Sequence, residues 1–322
     1  MPHVENAGVS IHYHVEGDGS PLVLQHGLTS SLQHWYAYGF VKELQQDYRL
    51  ILVDARGHGL SSKPHDPKEY DLKLRVSDVL AVMDDLGVDK AHYMGYSMGG
   101  RIGFGIVKHA LDRFHSLIIG GISADTPNSD NPPRDRIDML RQGMAQYVAD
   151  AEAKEGPMEA GRRERLLEND PEALIAATAA LRGTDGVEAL LPNLTLPCLL
   201  YCGDADGFFP GAKAAAQAIP HTVFVSFLGL HHGEMSRAGE RVLPHVTAFL
   251  KKATVEVGAG MESRQPARGA ATVLDPQSVP DAQAAGDGVG RLLACCVGWR
   301  CASIPIVVAA CIQTRKEVLN WL

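Results

Sequence analysis

Residues 92–104 read HYMGYSMGGRIGF. A short apolar run closes on Gly95, Ser97 stands two places on, and Gly99, Gly100 and Gly103 follow. The run has strand character, and the segment after it, as far as Ala110, has helical spacing. A strand that turns straight into a helix leaves no room for side chains two places to either side of the turning residue, and Gly95 and Gly99 satisfy that. Gly100 and Gly103 let the helix lie close on a sheet. A serine on such a turn holds a strained backbone conformation with its hydroxyl standing free. The helix N-terminus beside it offers unpaired N–H groups and a positive dipole end to any oxyanion formed there. The glycines make sense if Ser97 is a nucleophile. The pattern G-x-S-x-G carries little weight alone, and gains it from the flanking strand and helix.

Outward from that turn the same rhythm repeats. VSIHYHV alternates and reads as a strand with one wet face, which places His12 and His14 there. PLVLQHG and YRLILVDARG are short apolar runs that end in turns, as buried strands do. LKLRVSDVLAVMDDLGV has helical spacing and stops at Gly87. FHSLIIGGI, LPCLLYCGDAD and TVFVSFLG are further strands, and ERVLPHVTAFLKK closes as a helix. Strands that alternate with helices predict an α/β fold, a mostly parallel central sheet covered by helices on both faces. Residues 124–194 break the rhythm. They are polar, helical and rich in Arg, Glu and Ala, and too long for a plain loop. They read as a helical cap over one end of the sheet.

A serine hydroxyl is a poor nucleophile near neutral pH and needs a base. The chain has 14 histidines, so one histidine means little. His231 and His232 follow a late strand and precede the last helix, at the same end of the sheet as Ser97. Asp204 and Asp206 follow the preceding strand at that end, where one of them could equally cap a helix. The chain order is then Ser, Asp, His, a known order for a catalytic triad.

The first 253 residues resemble the α/β-hydrolase fold superfamily. The resemblance rests on LQHGLTSSLQHW, LILVDARGHGLSSKP, GYSMGG, YCGDADGFFP and HHGEM with VLPHVTAFL, in order and at family spacing. G-x-S-M-G-G with a plain H-G turn looks most like bacterial serine esterases and related lactonases, haloperoxidase-like perhydrolases and carbon–carbon bond hydrolases. The resemblance implies Ser97 as nucleophile, with the Met98 and Leu28 N–H groups as the oxyanion hole. It selects Asp206, three residues after Gly203 and four before Pro210, over Asp204. It selects His232, seventeen residues before Phe249, over His231, which stands where glycine is commoner. It implies hydrolysis of a small-molecule carboxylic ester or lactone without metal or organic cofactor, with Tyr96, Trp35, Phe208 and Phe209 beside the substrate. Serine at the elbow disfavours haloalkane dehalogenase and epoxide hydrolase chemistry, which use aspartate there. The absence of H-G-G-G argues against the esterase branch that carries it. Arg56 and His58 belong to a loop that is structural in this family. A ligand sensor that keeps the triad but turns over slowly is the contrasting class, since fold alone does not give function.

Composition agrees with a globular enzyme. Of 322 residues, 45% are hydrophobic and 21% charged. The formal net charge of −8 gives no reason to expect nucleic acid or an anionic membrane. MPHVENAGVS lacks the basic and apolar segments of a secretory signal, so a cytoplasmic location with free thiols is expected. The six cysteines are not spaced as zinc ligands. After residue 253 the composition turns to Ala, Gly, Pro, Gln and Asp, which predicts a disordered or non-native tail over 254–322. Its apolar stretch from Leu292 to Ile312 approaches a membrane span in length, but Arg300 and Pro305 are costly there, so membrane association is not expected.

Overall fold

The computed structural model describes residues 1–125, 134–181, 186–258 and 272–274. Among the described residues nine strands form one sheet: β1 (His3–Asn6), β2 (Val9–Glu16), β3 (Ser20–Gln25), β4 (Tyr48–Val53), β5 (Ala91–Tyr96), β6 (Phe114–Gly120), β7 (Cys198–Gly203), β8 (Thr222–Phe227) and β9 (Thr272–Leu274). Their order is β1-β2-β4-β3-β5-β6-β7-β8-β9. β1 and β2 are antiparallel additions at one edge, and every pairing from β4 to β9 is parallel. The helices are α1 (Gln33–Ala37), α2 (Phe40–Leu44), α3 (Leu72–Asp85), α4 (Met98–His109), α5 (Arg134–Arg141), α6 (Met144–Glu155), α7 (Ala160–Leu167), α8 (Pro171–Ala179), α9 (Phe209–Ala218), α10 (His232–Arg237) and α11 (Gly239–Gly258).

Strand parity divides the core in two. Val23, Ile51, Val53, Tyr93 and Leu117 point to one face and meet α3, α4 and α9. Leu22, Leu24, Leu50, Leu52 and Ile118 point to the other and meet α1, α2 and α11. The runs are apolar at every position because both faces are covered. The expected α/β fold is therefore the observed one. Between β6 and β7 the chain forms α5, α6, α7 and α8, which occupy the segment read as a cap.

Three features depart from the reading of the sequence. β1 is too short and polar to register as a strand, yet it pairs with β2 along its whole length. That pairing helps bury His12, expected on a wet face: it is 2% exposed, and its Nδ1 lies 2.8 Å from Asp54 Oδ2. α11, read as ending near Lys252, runs on to Gly258. α11's last turn and β9 fall within the expected tail; the rest of it, including the apolar stretch weighed as a membrane span, lies outside the described residues. Among the described residues no helix is long and apolar enough to cross a membrane.

Candidate active site

The turn at Ser97 has the geometry that the glycines around it require. Ser97 adopts φ 54° and ψ −110°, a conformation an L-residue rarely holds. A Cβ on Gly95 would overlap the Gly99 carbonyl, and one on Gly99 would overlap the Gln25 carbonyl. α4 begins at Met98, so the dipole end of a twelve-residue helix meets the serine.

Two other loops converge on the hydroxyl. His232 opens α10 just after β8, and its Nε2 lies 2.9 Å from Ser97 Oγ. Its Nδ1 lies 2.7 Å from Asp206 Oδ2, on the turn after β7. A neutral imidazole carries one proton, and the Asp206 carboxylate can only accept one. The tautomer is thereby fixed: Nδ1–H donates to Asp206, and Nε2 accepts the Ser97 hydroxyl proton. Asp206 is 4% exposed, and its other oxygen accepts the Phe208 N–H at 3.0 Å. The Cys202 thiol sits beside this carboxylate, and burial pushes its pKa far up, so it stays a neutral thiol.

The two doubled candidates separate cleanly. Asp204 is exposed, and its Oδ1 accepts the Gly229 N–H at 2.7 Å, which ties the β7 turn to the β8 turn. His231 is exposed and caps α10 reciprocally with Glu234, while its Nδ1–H donates to the Ala205 carbonyl at 3.0 Å. Neither reaches Ser97.

The H-G turn lies against the serine: a Cβ on Gly27 would touch Ser97 Cβ at 3.4 Å. His26 builds this turn from within. Its Nε2 accepts the Ala55 N–H at 3.1 Å, so Nδ1 bears the proton and donates to the Gly27 carbonyl at 2.8 Å. Burial lowers its pKa and keeps the ring neutral. The Ser30 N–H closes the turn onto the same carbonyl, across Thr29 at φ 63°. The Leu28 and Met98 N–H groups have no acceptor among the described residues. Asp54 fixes the chain beyond, accepting from the Leu32 and Leu60 N–H groups at 2.7 and 3.0 Å.

The four aromatic residues expected beside the substrate divide. Phe208 is half-buried, with its ring 5.4 Å from that of His232. Phe209 turns toward the core and packs on Phe224. Trp35 and Tyr96 do not line an open surface. Trp35 is fully buried, edge-on to Phe40 between sheet and helices. Tyr96 is 3% exposed, and its hydroxyl donates to the His232 carbonyl at 2.6 Å. Its role is to hold the histidine loop, which the sequence of β5 does not reveal because the partner is 136 residues away. Arg56, set aside as structural, has both terminal edges engaged, by Asp78 at 2.6 Å and by the Glu69 carbonyl. Among the described residues no group of three or more His, Cys, Asp or Glu is placed to hold a metal ion.

This arrangement can be compared with known proteins. Residues 20–156 match the family described as the alpha/beta hydrolase fold. A putative 2-succinyl-6-hydroxy-2,4-cyclohexadiene-1-carboxylate synthase of Bacillus subtilis is 30% identical over 58% of this chain and 74% of its own. A bifunctional esterase/perhydrolase of Acinetobacter calcoaceticus is 26% identical over 76% of this chain and 97% of its own. The crystal structure of an enol-lactonase from Burkholderia xenovorans superposes with a TM-score of 0.68 at 25% identity, covering 78% of this chain and all of that one. The chain belongs to the α/β-hydrolase fold superfamily.

Proposed function

We propose that this protein is a serine hydrolase that cleaves carboxylic esters through an acyl-enzyme, with Ser97 as nucleophile, His232 as general base and acid, and Asp206 as its orienting carboxylate. The observation that carries the reading is the continuous chain of two hydrogen bonds, Ser97 Oγ to His232 Nε2 at 2.9 Å and His232 Nδ1 to Asp206 at 2.7 Å. His232 takes the hydroxyl proton as Oγ attacks the substrate carbonyl. The oxyanion that forms accepts hydrogen bonds from the Leu28 and Met98 N–H groups, each donor of this kind being worth about 10²–10³ in kcat. The tetrahedral adduct collapses, the alcohol leaves with the proton from His232, and Ser97 carries the acyl group. Water then attacks with His232 as base, and the acid departs. Asp206 stabilises the imidazolium and holds the tautomer throughout. Phe208 forms a wall beside His232, with Phe209 behind it.

The names of two relatives, an esterase/perhydrolase and an enol-lactonase, favour an oxygen ester or a lactone over other acyl compounds. The reading is tested with a panel of p-nitrophenyl esters and lactones on the wild type and Ser97→Ala. Loss of about 10³-fold or more in kcat/KM with an unchanged fold is expected. A variant that keeps more than about a tenth of the activity would remove Ser97 from the mechanism.

A further inference from the structure

The cap is expected to confer specificity, yet it touches the H-G turn that carries the Leu28 donor. Asn169, between α7 and α8, donates from its side-chain amide to the Thr29 carbonyl at 3.1 Å. The same amide lies 3.1 Å from the Arg165 carbonyl and 3.2 Å from the Leu166 carbonyl. Three carbonyl oxygens around one group admit only the NH₂ edge of the amide, so its orientation is fixed by its surroundings. Thr29 is the strained member of the turn. A β-branched residue at φ 63° costs about 1–3 kcal/mol and persists only where its surroundings hold it there. Asn169 and the Ser30-to-Gly27 hydrogen bond are what hold it. Leu28 also packs against two apolar clusters, Leu140, Met144 and Leu174 of the cap, and Ala176 and Ala177 of the cap with Tyr70. Leu28, the oxyanion donor of the proposed mechanism, is therefore flanked by two cap contacts, one polar and one apolar.

We propose that Asn169 is a positioning residue for the oxyanion hole: by holding the Thr29 carbonyl it keeps the H-G turn in the conformation that aims the Leu28 N–H at the developing oxyanion. The inference rests on Ser97 acting as the nucleophile at this site. Without the amide, Thr29 is free to relax to negative φ, and the Leu28–Thr29 peptide rotates with it. Substrate binding by the remaining walls is unaffected, so the loss falls on kcat.

The test uses the full-length protein with Asn169→Ala and Asn169→Asp, the second placing a carboxylate against three carbonyl oxygens. Each is assayed with a p-nitrophenyl ester and with the matching thionoester, whose sulfur accepts hydrogen bonds far more weakly than oxygen. Active enzyme is counted by fluorophosphonate labelling, so partial unfolding drops out of the comparison. The expected result is a fall of about tenfold in kcat for the oxygen ester with KM within about twofold, smaller than the loss of a whole oxyanion donor. The ratio of oxygen-ester to thionoester activity falls with it by about fivefold, since only the oxyanion uses the full strength of the donor. An unchanged ratio, with either no loss or equal loss on both esters, would overturn the proposal and leave Asn169 as a cap for α7. Ser97→Ala is run beside them: if it stays active, the nucleophile assignment fails first; if it is inactive while the ratio holds, only the role of Asn169 is lost.

Discussion

At the scale of single residues, the chain offers two histidines side by side and two aspartates two apart; one histidine reaches the serine, and one aspartate reaches that histidine. His232 points inward because it is the first residue of α10 and Tyr96 holds its carbonyl. His231 points outward because it caps that helix. We therefore expect His232→Ala to lower kcat/KM by about 10³-fold or more and His231→Ala by less than about tenfold, the latter through loss of the helix cap and of the hydrogen bond to the Ala205 carbonyl. Asp206→Ala and Asp204→Ala should rank the same way, measured on one ester under saturating and limiting conditions. A reversed order within either pair would contradict the geometry. The choice within each pair came from the resemblance to the α/β-hydrolase family, whose spacing to Pro210 and Phe249 selects Asp206 and His232. The roles of Tyr96 and Asn169 were not legible in the sequence, because each acts through a hydrogen bond to a backbone carbonyl more than a hundred residues away, and a carbonyl carries no mark in a sequence.

At the scale of elements, the elbow is a place where strand and helix meet without space. Gly99 sits with the Gln25 carbonyl where a Cβ would be, and Gly95 faces the Gly99 carbonyl in the same way. Neither obstacle is a flexible side chain, so β3, β5 or α4 must shift to admit a methyl. Gly99→Ala should lower stability by about 2 kcal/mol or more and lower kcat further through misplacement of Ser97, read by urea denaturation and by kinetics on the folded fraction. A variant of native stability and full activity would show that the approach is looser than drawn. Strands β3 to β8 of the parallel sheet, and both partners of the elbow, were read correctly from apolar runs between turns, whereas β9 lies in the segment expected to be a tail. β1 and the short α1 and α2 were missed, because four or five residues show too little periodicity to declare a period.

At the scale of the whole molecule, burial of histidines sets the response to acid. Burial lowers His34 and His58 to about 3, and His92 to about 4. Unfolded, each would titrate near 6.5. Between those values the unfolded chain binds more protons than the folded one, so stability is complete above about pH 6.5 and is lost as pH falls, by about 1.4 kcal/mol per pH unit for each such group. Urea midpoints should be flat from pH 8 to 7 and drop steeply from pH 6 to 4, and His92→Gln should make that drop shallower. A midpoint independent of pH down to 4 would refute the buried neutral histidines. Every strand among the described residues and every candidate site residue lies within Met1–Pro276, so truncation after Pro276 should leave kcat/KM within about threefold. A truncation after Thr254 also removes β9 and bares the edge of β8, and should aggregate more than the longer form by size exclusion. Equal behaviour of the two would make β9 dispensable. The account as a whole stands on a covalent intermediate at Ser97, and the most direct measurement is to acid-quench the enzyme during turnover of a slowly deacylated p-nitrophenyl ester and map the adduct by mass spectrometry of its peptides. The account predicts one added acyl mass on Ser97 and none on Ser97→Ala. Steady turnover with an unmodified Ser97, or an acyl group found on another residue, would contradict it.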